Sequence, residues 1–221
     1  GGRLCGAAPC DVCCGDGFRL HYRAAWQTVP SMRTVTPASE RAVRRVLSEA
    51  FRNDPVMNWI CPKPAFVAAL FRLLTPLYSR QGFAMLTDEY TAATLWMTPA
   101  KDLRPGLSAL PAALRVLSLC GLAGLRRIRR FERASKRAKP TVPFFYLFAI
   151  GVVDQAKGLG VGSQILKHTL QRCDAAQTPA YLENSNRANL GFYQKHGFEV
   201  IEEVVLDDDG PIVWLMLRQP R

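Results

Sequence analysis

Residues 146–163 constrain the fold of this chain more than any other stretch. An apolar, strand-like run from Phe144 to Val153 leads into Gly158-Leu159-Gly160-Val161-Gly162. A helical pattern then begins at Gln164-Ile165-Leu166-Lys167-His168-Thr169-Leu170. Strand, glycine turn and helix start, in that order, build a concave site for an anion. Glycine lets the backbone turn tightly and come close to a ligand. The first amides of the helix have no internal partner and carry the positive end of its dipole. A phosphorylated ligand is the expected occupant.

Two nucleotide signatures do not fit. The dinucleotide fingerprint G-x-G-x-x-G would need glycine at position 163, which is Ser163, and a P-loop would end in Gly-Lys-Ser/Thr where this turn ends Gly-Ser-Gln. The run Lys157-Gly158-Leu159-Gly160-Val161-Gly162 instead resembles the Gln/Arg-x-x-Gly-x-Gly/Ala motif of the GCN5-related N-acetyltransferase (GNAT) family. The preceding Ala149-Ile150-Gly151-Val152 is similar to that family's pantetheine-facing strand. The motif's first position is Lys157 in the register that keeps the strand-to-loop spacing; reading from Gln155 restores the glutamine but shortens that gap. The Lys157 register is preferred, and a cation beside phosphate is electrostatically sensible there.

A second segment carries the resemblance further. Residues 180–200 contain a strand ending Leu182-Glu183, a polar turn, Asn189, Phe192-Tyr193 and a closing Gly197-Phe198, in the family's order. Within the family, Trp96-Met97-Thr98-Pro99, a helical insertion and the two motifs look like puromycin N-acetyltransferase-like members. The resemblance implies an α/β fold: a mixed, mostly antiparallel central sheet flanked by helices, with splayed central strands and a basic helical insertion. It implies acetyl-CoA as co-substrate, bound by Ile150, Gly151, Val152, Lys157, Gly158, Leu159, Gly160, Val161, Gly162, Ser163 and Asn189. An amine is the implied acceptor, by direct attack in a ternary complex.

Acetyl transfer to an amine needs a neutral nucleophile and an acid for the departing thiolate. A thiol titrates near pH 8.5 and a tyrosine near 10, so a placed phenol donates to thiolate at modest cost. Tyr193 occupies the family's position for that acid. Glu183 is the candidate base, with substrate holding as the alternative role; a carboxylate with an ordinary pKa is a feeble base toward an alkylammonium. Backbone amides near Val152 would polarise the thioester carbonyl. His168 and His196 are expected to be packing or surface residues, and no metal site is assigned.

The rest of the 221 residues fits one domain over 32–221. A short strand from Met32 precedes a helix capped by Thr36, with an apolar stripe at Val43, Val46, Leu47 and Ala50. Strands Phe83–Thr87 and 91–98 read as a hairpin. Residues 1–31 are different in kind: Cys5, Cys10, Cys13 and Cys14 fit no standard zinc spacing, even with His21 nearby, and a leader or disordered extension ahead of Met32 is expected. Cys61, Cys120 and Cys173 sit in apolar patterns as buried thiols, so a cytoplasmic setting is expected.

Segment 100–140 holds eleven basic residues against two acidic ones, a net +9 of the chain's formal +11. Leu107, Leu110, Leu114, Leu117 and Gly121 recur at helical spacing, predicting an amphipathic helix over the segment's first half. No run of eighteen or more uncharged apolar residues occurs, so no transmembrane helix is expected. Three roles stay open: a solvated insertion beside the cleft, contact with an acidic substrate or nucleic acid, and attachment to an anionic membrane surface. The alternative to an enzyme is a non-catalytic CoA- or nucleic-acid-binding module working through this segment.

Overall fold

The computed structural model describes residues 31–99, 103–207 and 210–221. The expected leader, with His21 and its four cysteines, lies outside the described residues except for Ser31. The elements run β1 (Met32–Thr34), α1 (Glu40–Ala50), α2 (Pro55–Ile60), α3 (Pro64–Gln81), β2 (Phe83–Thr87), β3 (Ala92–Met97) and α4 (Leu110–Ala138). They continue with β4 (Phe145–Val152), α5 (Val161–Ala175), β5 (Ala180–Asn184), α6 (Leu190–Lys195), β6 (Glu199–Val205) and β7 (Ile212–Arg218).

All seven strands join one sheet in the order β1-β2-β3-β4-β5-β7-β6. Every neighbouring pair is antiparallel except β4 with β5. That parallel pair is short: Phe145, Tyr146 and Leu147 face Ala180, Tyr181 and Leu182, and the pairing goes no further. A register shift at Leu95/Trp96 bends β4 at the same level. Beyond Leu147, β4 follows β3 while β5 follows β7, so the two central strands diverge.

Apolar side chains clothe both faces. Val43, Val46 and Leu47 of α1 and Phe66 and Phe71 of α3 pack with Leu86, Leu95 and Ala149 on one side. Ile165, Leu166 and Leu170 of α5 pack with Trp96, Leu147 and Leu182 on the other. Gly151 lets α1 lie close on β4, since a Cβ there would meet Ala50 Cβ at 2.7 Å. The edge is tied by Arg218, only 4% exposed, which donates to Asp174 Oδ1 (2.7 Å) and Oδ2 (3.0 Å) and to the His196 carbonyl. Arg218 holds the Asp174 carboxyl below its ordinary pKa. The pair's contribution is therefore present above the unfolded carboxylate value and lost as pH falls through the lowered one. Arg218→Ala is expected to cost about 3 kcal/mol at pH 7, read from the urea midpoint, because it strands a partly buried charge.

Three local expectations are corrected. The first helix begins at Glu40, four residues past the expected cap Thr36. Its Ncap is Ser39, and Thr36 sits in the preceding turn with its N–H donating to Ser39 Oγ at 2.9 Å. Cys61 and Cys173 are buried thiols, but Cys120 is only half-buried. The basic insertion is helical but not continuous. Gly121 (φ 60, ψ −166) stands in a conformation open essentially to glycine alone and divides α4 into two arms. Among the described residues, this stretch, Leu107–Arg137, is one helix long and apolar enough to cross a membrane by length and composition.

Candidate active site

The divergence of β4 and β5 opens a cleft, and the glycine turn closes one end of it. After β4 the chain makes a short turn at Asp154–Ala156. It then passes Gly158 (φ 78) and Gly160 (φ 83) in left-handed backbone and enters α5 at Val161. A Cβ at Gly158 or Gly160 would meet nothing within 4 Å, so these positions are required by backbone angle and leave open space before them. The Gln164 amide is the first to reach back, to the Gly160 carbonyl at 3.1 Å. The amides of Val161, Gly162 and Ser163 therefore stand in the unpartnered first turn of a four-turn helix.

A cavity of about 490 Å³ lies against this turn. Of the residues expected to bind cofactor, Ile150, Gly151, Val152, Lys157, Gly158, Gly160, Gly162, Ser163 and Asn189 line it. Leu159 and Val161 do not: Val161 is fully buried in the core beneath α5, and Leu159 packs against the same cluster. Their side chains anchor the turn, and only their backbone is available to a ligand. Lys157 is ion-paired with Asp154 at 2.7 Å, and Asp154 also accepts from Arg52 at 2.8 Å. These two cations hold the Asp154 carboxyl below the ordinary range, Lys157 contributing most. Asn189 makes no capping bond; the cap of that turn is Asn186, which accepts from the Ala188 amide at 3.0 Å.

A second cavity, about 180 Å³, continues the cleft on the other side of Tyr193. Ala50, Ile150, Lys157, Asn186, Asn189 and Tyr193 line both cavities. Tyr193 projects from α6 and is 8% exposed, its ring edge-on to Phe192 and Phe198. Burial, and secondarily the Asp54 carboxylate nearby, push its pKa far above that of a free phenol, so it stays protonated at neutral pH while being a weaker acid than a free phenol.

Glu183 sits in this second cavity with its side chain 4% exposed. Tyr146 donates to its Oε2 at 2.9 Å and Tyr181 to its Oε1 at 3.1 Å, while Lys139 Nζ stands 3.9 Å away. Burial, then the Glu183 charge, raises the pKa of both tyrosines and keeps them as donors. The result is a fixed anion walled by aromatic rings, suited to holding a cation.

Sequence reasoning overlooked Asp54. It caps α2, Oδ1 accepting from the Met57 amide at 2.9 Å, and its Oδ2 takes a very short hydrogen bond from Ser185. Burial raises its pKa despite those bonds. The Asn53-Asp54-Pro55 turn advertises a helix cap. Nothing local shows that β5 will deliver Ser185 to the same carboxylate.

Residues 119–200 match the acetyltransferase (GNAT) domain family. A Corynebacterium glutamicum protein described as histone acetyltransferase HPA2 and related acetyltransferase shares the fold with a TM-score of 0.67. The two are 27% identical, over 87% of this chain and 97% of that one. Residues 119–200 are thus the part of the chain that matches a GNAT acetyltransferase domain. The seven-stranded, mostly antiparallel sheet with its single parallel pair extends beyond them on both sides and has the GNAT fold. The polyamine N-acetyltransferase of Drosophila melanogaster has the same fold, with a TM-score of 0.62 at 18% identity, covering 86% of this chain and 99% of that one. The N-alpha-acetyltransferase 50 of Danio rerio is 34% identical over 61 residues, 26% of this chain. The chain thus spans about a third (36%) of that curated relative's length.

Proposed function

We propose that this chain transfers an acetyl group from acetyl-CoA to a primary amine of a small molecule or protein, by direct attack in a ternary complex. The observation that carries this reading is the pair of cavities meeting at Tyr193, one against the unpartnered amides of a helix start and the other lined by four carboxylates, Asp54 and Glu183 among them. A ternary complex needs both substrates side by side, and a shared wall of Ile150, Asn189 and Tyr193 allows it.

The Val161, Gly162 and Ser163 amides would hold the diphosphate of the co-substrate, with Gly158 and Gly160 leaving room for it. The bound thioester supplies the activated acetyl group. The gap between β4 and β5 leaves the backbone of Ile150–Val152 free on that side to receive the thioester arm. Tyr193 donates the proton that neutralises the departing thiolate. Glu183, fixed by two phenols, holds the incoming ammonium. Asp54, whose carboxyl pKa is raised by burial, takes one proton from the ammonium so that the neutral amine attacks, with Ser185 orienting the carboxylate. The second proton leaves nitrogen as the C–S bond breaks and restores the Tyr193 phenol. This divides between two carboxylates the base and holding roles that the sequence offered to Glu183 alone.

Isothermal titration with acetyl-CoA tests the first requirement; no heat at millimolar ligand overturns the reading. Gly160→Val is expected to weaken that binding by about tenfold or more, since it strains a left-handed position and tilts amides away from a charged partner. Unchanged affinity in that variant would remove the glycine turn from the binding site. A screen of amines read by thiol release identifies the acceptor.

A further inference from the structure

The outer face of α4 and of the turn before it carries five exposed leucines: Leu107 (91%), Leu110 (55%), Leu114 (56%), Leu117 (39%) and Leu122 (71%). The first four are spaced three, four and three residues apart, which puts them on one ridge. Scattered surface leucines are ordinary, but a contiguous ridge of them marks a contact surface. The inner face is already used. Val116, Gly124 and Ser135 are buried, Lys63 donates to the Leu119 carbonyl at 3.0 Å, and Arg127 donates to the Trp59 carbonyl at 2.7 Å. α4 is therefore fastened to α2 and α3, with its apolar ridge turned outward.

Past the break at Gly121 the exposed ridge changes character. Leu122, Arg126, Arg129, Arg133 and Lys136 follow one another at four, three, four and three residues, all exposed. Among the described residues, the one basic group of the arm's exposed side given a carboxylate is Arg130, on Asp207. A leucine ridge thus runs directly into a cationic one.

We propose that this face of α4 is a docking surface for an anionic lipid bilayer. The leucines would enter the boundary between headgroups and chains while the arginines meet acidic headgroups. The first arm, Leu110 to the break, is about 16 Å long at 1.5 Å per residue, roughly half of a hydrocarbon core, so it lies in the interface and does not span. Charge decides against a second copy as the occupant. Two such faces laid together would bring two basic ridges into one contact, whereas an acidic surface neutralises both ends of the face at once. This inference rests on the surface alone and is independent of acetyl transfer.

The test is flotation of the full chain with phosphatidylcholine vesicles, with and without phosphatidylglycerol. Binding is expected only to the anionic vesicles and to fall as salt rises. Leu110→Glu with Leu114→Glu should weaken it by about tenfold or more. Each of Arg126→Gln, Arg129→Gln and Arg133→Gln should weaken it by about fivefold. Circular dichroism of each variant separates lost docking from lost folding, and all these side chains are exposed. A chain that ignores the vesicles and sediments as a monomer overturns the proposal. So does a dimer that the leucine variants dissolve, which would assign the ridge to a second copy. Equal affinity of the leucine variants for vesicles, or binding to single-stranded RNA in place of vesicles, overturns it as well.

Discussion

Tyr193→Phe is expected to lower kcat by about 10²- to 10⁴-fold, the usual worth of a placed general acid. Acetyl-CoA affinity should barely change. The ring keeps its edge-on packing against Phe192 and Phe198, and the hydroxyl is the atom lost. The phenol pKa is pushed up by burial and by Asp54, so the wild-type profile should show no basic limb from this group. Steady-state rates with thiol detection, alongside titration of the cofactor, check both halves. Unchanged turnover would remove Tyr193 from the acid role. A parallel loss of cofactor binding would make it a structural wall of the cavity.

Asp54→Asn is expected to reduce kcat/KM by about 10²- to 10³-fold while leaving the fold intact. Asparagine caps a helix as well as aspartate does, so the Met57 amide keeps its partner. The sign of the stability effect follows from the raised carboxyl. Its folded-state pKa lies above the unfolded one, so the buried charge costs stability once pH has risen through that value. The neutral variant should therefore be as stable as the parent, or more so, at pH 7. In the parent the same shift moves the acid limb of kcat/KM to higher pH than an ordinary carboxylate gives. A variant that retains activity and the acid limb would return the base role to Glu183. Glu183→Gln distinguishes the roles further: loss of a holding group raises KM for the amine more than it lowers kcat.

Much of this architecture was legible in local pattern. The β2–β3 hairpin, the motif strand, the glycine turn and α5 follow from alternation, turn chemistry and helical period, all short-range properties. Nine of the eleven expected cofactor positions line one cavity, because a strand–turn–helix unit positions its own residues. The side chains of Leu159 and Val161 do not line it, because a motif names consecutive residues while a helix start must bury some of them. The start of α1 shifted because Ser39, not Thr36, supplies the turn that admits the helix. The break at Gly121 was not legible, since one glycine inside an apolar helical pattern does not announce its backbone angles.

The sequence by itself determined the glycine turn, the order of the elements and the positions of Tyr193 and Glu183, because each depends on residues close together along the chain. Only the tertiary structure brought Asp54 to Ser185, 131 positions apart, and set Tyr146 and Tyr181 on the two oxygens of Glu183. It also decided which side of α4 is fastened and which is left bare. Those pairings depend on where β4 and β5 part, and strand divergence is fixed by what packs across a whole sheet.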